Sequence, residues 1–441
     1  MKGIKEEGIF FFNSVRFLVT VLLLNIYSSV YSQEYFVVEF TEKDSCELYS
    51  PCLSQTTYQN REALKISKYQ YSDLPVKAEF LKGLKAFDVE ILGTLKWLNA
   101  CWIKADSSEI TQILSLNYVK KISSIQKYKK IIASLDTQLI VSDQKLQLIG
   151  ESCLRKKGLN GDGVIIGVVD AGFAGFRSAN YLKNSRKKNK VIHTRDFLNQ
   201  EKDVFSSSIG NDDHGLTVLK NLVGISKKRK FGLAPEAKLV LARTENANKE
   251  FRMEELLWAK SLEWFDSLGV RLVNSSLGYS IGFDDPKDNY QISDLDGQST
   301  IVTRAAKIAT EEKGMIIVTS AGNEGNKNEW RILTAPADAK WAISVGALNT
   351  NFTKAGFSSI GPDFLAYVKP DVCAISGNGT SFSAPIITGL IACMLQLNPK
   401  LTLQEIFMFL EQSGHLFPFP NNYVGYGMPD ACKIIELMED G

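Results

Sequence analysis

Histidine is the scarcest reactive residue in this chain: three among 441 residues, at His193, His214 and His415. General-base chemistry near neutral pH is therefore confined to very few places. Cysteine is also sparse, seven in all, and no two have C-x-x-C spacing, which leaves a zinc site with little support. Neither sign of charge is in excess. The 51 Lys and Arg against 49 Asp and Glu leave a net +2, so no nucleic-acid partner is expected. The short basic clusters Arg186-Lys187-Lys188 and Lys227-Lys228-Arg229-Lys230 lie between apolar segments and read as solvated loops. Long apolar runs are missing too, and no stretch after the first 32 residues reads as a membrane span.

What is present begins at the N-terminus. Lys2, Lys5 and Arg16 precede the apolar run Phe17 to Leu24, and Val30-Tyr31-Ser32 offers small residues for cleavage before Gln33. Residues 1–32 read as an export signal, leaving a secreted or periplasmic protein with no stable membrane span. Cys46 and Cys52 are close enough to close a small loop in an oxidising compartment. The odd cysteine total leaves at least one thiol unpaired within the chain, and the rest of the pairing is open.

Residues 33–130 carry a small α+β pattern. Tyr35 to Phe40 and Trp97 to Ile103 read as strands, Ser107 to Leu116 has helical spacing, and Tyr118 to Ile122 looks extended. No histidine lies there, and the core is small enough to lean on a partner. A lysine-rich, weakly patterned stretch from Ser123 to Thr137 reads as a linker, with 131–142 as the boundary segment. Over 143–441 strands alternate with helices, which predicts an α/β fold with a doubly wound, mostly parallel sheet flanked by helices. Buried strands are expected at 164–169, 239–242, 272–274 and 315–318, and helices at 254–265 and 301–311. Ligands in such sheets sit at the carboxyl ends of strands.

Four polar residues stand at such ends or at helix starts. Asp170 ends the first strong strand; it can orient an imidazole, or simply cap a turn. His214 opens an apolar helix and is the best-placed general base, His193 and His415 reading as structural. Asn323, in Ser320-Ala321-Gly322-Asn323, can donate to an oxyanion or serve as a turn residue. Ser381 follows Gly379-Thr380 and precedes the apolar run from Ala384. There it can act as a nucleophile at a helix N-terminus, or as an ordinary cap. Each signal alone is modest; the order Asp, His, Asn, Ser along one sheet is not.

With these residues the chain resembles the subtilisin-like serine proteases, from about Leu146 to Cys432. The aspartate block is Gly161-Asp162-Gly163-Val164-Ile165-Ile166-Gly167-Val168-Val169-Asp170, and the histidine block is His214-Gly215. The serine block is Gly379-Thr380-Ser381-Phe382-Ser383-Ala384-Pro385. Asn274-Ser275-Ser276-Leu277-Gly278 resembles the family's substrate strand, and Gly232 to Ala237 the turn after the histidine helix. There are departures. Ala171 stands where Ser or Thr is usual, Leu216 follows where a second histidine is common, and Phe382-Ser383 replaces Met-Ala. Asp170-Ala171-Gly172-Phe173 and the Asn323 block are similar to a branch found in secreted proteases of the Bacteroidetes.

The resemblance implies a secreted serine endopeptidase made as a zymogen. Asp170, His214 and Ser381 would be its triad and Asn323 its oxyanion donor. Ser276, Leu277, Gly278, Ala321 and Gly322 would hold substrate main chain. It implies that 33–130 is a propeptide that inhibits the enzyme until removed, and that the partners are protein or peptide substrates of a monomer. No cofactor is implied. Structural calcium is common in the family, and Asp284-Asp285, Asp288, Asp294 and Asp296 offer oxygens, but no full ligand set is visible. A catalytically silent binding protein, and a peptide ligase or cyclase using the same triad, stay open as alternatives.

Overall fold

In a computed structural model, which describes residues 34–44, 51–125, 142–200, 203–206, 213–227, 229–246, 251–283 and 286–440, the extended runs near residues 35 and 118 lie side by side. The export signal over 1–32, Cys46 and nearly all of the linker fall outside the described residues.

Contacts divide the chain into two units. Among the described residues, the first takes in 34–42, 76–94 and 100–125. Its strands are β1 (Glu34–Phe40), β2 (Val89–Leu95), β3 (Ala100–Ala105) and β4 (Val119–Ile125), in the sheet order β2-β3-β1-β4. β1 is antiparallel to both β3 and β4. Helices Ala78–Leu84 and Ser107–Leu114 supply further apolar side chains, the second capped by Asp106, whose Oδ1 accepts from Ser108 N at 2.9 Å. Val38, Cys101, Ile103, Leu84 and Ile113 are fully buried, and Phe80 stacks on Tyr118 at 4.6 Å. The strand expected from Trp97 starts later. Residues 96–99 form a turn whose last residue, Asn99, takes a left-handed conformation (φ 50°), so β3 begins at Ala100. β4 runs to Ile125, into the start of the expected linker.

Among the described residues, the second unit holds those from 142 to 440 together with 43–44, 51–75 and 95–99. Its seven strands are β5 (Ile165–Asp170), β6 (Val191–Asp196), β7 (Lys238–Arg243), β8 (Leu272–Ser275), β9 (Ile316–Ser320), β10 (Ile343–Leu348) and β11 (Val372–Ile375). They form one sheet in the order β11-β10-β9-β8-β5-β7-β6, with every described pairing parallel. The central strands are unbroken apolar runs because helices cover them. From β5 the chain first builds outward to β6 and β7 on one side, then crosses to β8, β9, β10 and β11 on the other. That reversal opens a crevice at the carboxyl ends of β5 and β8.

Ala384–Leu397 is the core helix of this unit. The stretch Thr380–Leu397 has a mean hydropathy of 1.5 and passes for a membrane span by length and composition, contrary to the expectation that no later stretch would. Most of it is buried inside the protein, which explains its character. A disulfide joins Cys153 to Cys432 across 279 residues of sequence. Cys101, Cys373 and Cys393 are buried thiols, and burial pushes the Cys101 and Cys393 thiols up to about 12.

Candidate active site

Asp170, the last residue of β5, is completely buried. Its Oδ1 accepts from its neighbour's Ala171 N at 2.8 Å and faces His214 Nδ1 at 2.7 Å. The turn that follows is held by Arg243, whose Nε donates to Ala171 O at 2.9 Å while its Nη1 pairs with buried Asp196 at 3.0 Å. Ala171 in place of a hydroxyl residue thus leaves the turn anchored through its backbone.

His214 is the first residue of helix His214–Val223. It reaches Asp170 because Gly215 lets the helix start press against the turn after β5. A Cβ on Gly215 would lie 2.4 Å from Gly172 O and 2.7 Å from the Phe173 ring. Burial pushes the imidazole's pKa down, but the charge and hydrogen bond of Asp170, with Asp213 and Glu245 behind it, prevail and hold it above the ordinary 6.5. The Phe382 ring lies 5.5 Å from the imidazole, centroid to centroid.

Ser381 sits in the short turn Thr380–Phe382, immediately before the core helix, with Pro385 in that helix's first turn. Gly379 enters this turn at φ 148°, a conformation that favours glycine. Ser381 Oγ donates to Ser276 O at 3.2 Å, and Ser276 Oγ donates to Ser381 O at 2.8 Å. The serine hydroxyl is therefore engaged with the backbone of the residue that follows β8. A buried relay ties this region to the sheet: Thr388 Oγ1 donates to Asn274 Oδ1 at 2.9 Å and Asn274 Nδ2 to Ser276 Oγ at 3.0 Å.

Asn323 follows β9 with its side chain exposed. Its Oδ1 accepts from Thr380 N at 2.9 Å and from Thr380 Oγ1 at 3.1 Å. With the carbonyl end engaged, the Nδ2 end is left to donate outward. Beyond β8, Leu277 and Gly278 make no backbone hydrogen bond among the described residues, while Tyr279 exchanges two with Ala335 at 2.8 and 2.9 Å. Ala321 and Gly322 follow the end of β9, where Ala321 N donates to Val345 O at 3.0 Å and Thr334 N to Ala321 O at 3.1 Å. Gly322 N donates to Thr380 Oγ1 at 3.1 Å.

The sequence-predicted residues thus converge at the crevice. His193 does not join them: it lies exposed on edge strand β6. His415 accepts from Met428 N at 2.9 Å and packs edge-on to Phe352, a structural role. Of the acidic residues, Asp284 and Asp285 lie outside the described residues. Asp294 accepts from Gln291 N at 2.7 Å, and Asp296 from Gln298 N and Ser299 N at 2.8 Å, so both carboxylates serve as turn caps.

Thr380 and Glu245 also belong to this site, although little in the sequence marks them. Glu245 is buried just beyond β7 and accepts from Tyr279 Oη at 2.5 Å and Thr244 Oγ1 at 3.1 Å. Burial pushes it up to about 7 against the opposing hydrogen bonds of Tyr279, Thr244 and Glu254. Its only sequence signal is a charged residue two places beyond a buried strand.

The strand order, the switch-point crevice and the histidine–aspartate pair agree with the match found by comparison: the family described as "Subtilase family" covers residues 161–427. The chain belongs to the subtilase family. A second match, "Peptidase S8 propeptide domain, Bacteroidota", covers residues 35–138. Subtilisin DY of Bacillus licheniformis is 25% identical over 276 residues, 59% of this chain and 87% of that protein. Serine protease AprX of Bacillus subtilis (strain 168) is 24% identical over 359 residues, 70% and 72% of the two chains. The solved epidermin leader peptide processing serine protease of Staphylococcus aureus superposes with a TM-score of 0.65 over 92% of this chain and 99% of that one. At 18% identity that likeness speaks for the fold. This subtilase is a serine endopeptidase with a propeptide region.

Proposed function

We propose that this subtilase is exported by a signal over 1–32 and made as a zymogen. Its catalytic portion, 143–441, hydrolyses peptide bonds through Asp170, His214 and Ser381 once the propeptide, 33–130, has been cut away in the linker 131–142. The observation that carries the reading is the 2.7 Å contact of buried Asp170 with His214 Nδ1. A carboxylate on Nδ1–H leaves Nε2 as the basic nitrogen, the tautomer a serine nucleophile requires.

Ser381 Oγ turns from Ser276 O to His214, gives its proton to Nε2 and attacks the scissile carbonyl. The imidazolium, stabilised by Asp170, then protonates the leaving amine, and water repeats the sequence on the acyl-enzyme. Asn323 Nδ2 and the Ser381 backbone N–H receive the oxyanion. Ser276, Leu277, Gly278, Ala321 and Gly322 bind an extended protein or peptide substrate, main chain to main chain, which favours broad specificity. The enzyme works as a monomer and without a cofactor.

The test is casein hydrolysis and fluorophosphonate labelling by the processed protein. Turnover with a label on Ser381 is expected, and Ser381→Ala should abolish both, lowering kcat on the order of a million-fold. An unlabelled protein that turns over no casein would overturn the assignment.

A further inference from the structure

Residues 43–44, 51–75 and 95–99 fall inside the propeptide match, yet they pack in the second unit. The reason is a buried ionic quartet. Arg61, on helix Gln55–Ala63, is 1% exposed. Its Nη1 and Nη2 hold Asp73 at 2.6 and 3.0 Å, and Nη2 also holds Asp266 at 3.0 Å. Lys313 Nζ closes the set on Asp73 Oδ1 at 2.7 Å, with both side chains wholly buried. Burial alone would push Asp73 up, but Arg61 and Lys313 outweigh it and hold it down at about 2.

Around the quartet the backbone is pinned as well. Ser54 N donates to Ser267 O at 2.9 Å, Thr57 Oγ1 to Asp266 O at 2.6 Å and Asn60 Nδ2 to Gly269 O at 3.0 Å. Trp97 N donates to buried Glu263 at 2.9 Å. Two of the four charges, Arg61 and Asp73, come from the propeptide match, and two, Asp266 and Lys313, from the catalytic portion. Each side contributes one cation and one anion, so neither is left with net charge when they part. While they are together, removing one member strands the others in a dry site.

We propose that residues 51–75, with Arg61 as the bolt, form a clamp that holds the cut propeptide on the catalytic portion, separately from the β1–β4 sheet. The surface it fits is the face of the catalytic portion around Asp266, Glu263, Gly269 and Lys313. The proposal rests on reading 33–130 as a propeptide that is cut away.

The experiment uses the full chain carrying Ser381→Ala, with a recognition sequence for a site-specific protease placed within 126–141, so that the cut does not depend on the enzyme's own activity. Release of the N-terminal piece is followed by gel filtration after cutting and dilution. Arg61→Met should speed release on the order of 100-fold, the size expected when a buried charge loses its partner. Adding Asp266→Leu to Arg61→Met should slow release again, because the stranded carboxylate is gone. Lys77→Met, which breaks the 2.7 Å pair with exposed Glu42 in the first unit, should leave release unchanged. In the uncut chain, amides of Gln55–Ala63 should exchange with solvent as slowly as those of Ala384–Leu397. Parental release from Arg61→Met, or exchange of Gln55–Ala63 in step with β1–β4, would overturn the clamp. Should Arg61→Met fail to fold, the exchange result on the unaltered residues decides. A natural chain that neither cleaves itself nor labels would sink the triad reading and leave these release rates standing.

Discussion

Thr380 does two jobs at Asn323: its backbone N–H and its hydroxyl both engage Oδ1, and together they fix which end of the amide faces outward. Asn323→Ala should lower kcat by about 100- to 1000-fold with little change in KM, since an oxyanion donor acts mainly in the transition state. Thr380→Val removes one of the two anchors and should cost about 10-fold in kcat, the value of a single hydrogen bond. Steady-state kinetics on a chromogenic peptide checks both. The pH profile belongs to the same scale. Because Asp170, Asp213 and Glu245 hold His214 above 6.5 despite burial, kcat/KM should fall as pH drops through a value above 6.5. Glu245→Gln should move that limb to lower pH. For stability the sign is reversed: the protonated pair is favoured in the folded state, so its contribution is complete below 6.5 and is lost as pH rises through the raised value.

At the scale of elements, the meeting of helix His214–Val223 with the turn after β5 depends on one missing side chain. Gly215→Val would drive a Cβ into Gly172 O, and should cost about 1–3 kcal/mol in denaturant unfolding and most of the activity. The same elements show what could be read in advance. β5, β7, β8 and β9 were legible as β-branched runs, and the helix after Ser381 as an apolar stretch behind a glycine turn. β10, Ile343–Leu348, and β11, Val372–Ile375, were not singled out. Their short mixtures of small and apolar residues fit a strand or a buried turn equally well. The candidate site was legible where a polar residue stood at or just past a strand end, Asp170 and Asn323, or at a helix start, His214 and Ser381. The supports were not, because Thr380, Thr388 and Asn274 act through partners remote in sequence. Arg61 is the extreme case, paired with Asp266 at a separation of 205 residues.

At the scale of the molecule, Cys153 and Cys432 enclose the whole candidate site: Asp170, His214, Asn323 and Ser381 all lie between them. Cys153→Ser should lower unfolding stability by about 2–4 kcal/mol, read from denaturant midpoints, and leave kcat nearly unchanged. The bond has a second consequence. A protease is exposed to its own activity, and loops between residues 153 and 432 are open to attack by sister molecules. Any single cut within that span opens the ring but leaves the two fragments joined through the disulfide, so a nicked enzyme keeps its parts together. It should run as one band on a denaturing gel without reductant and as two with it. Damage of that kind can accumulate in this enzyme without costing it a subunit.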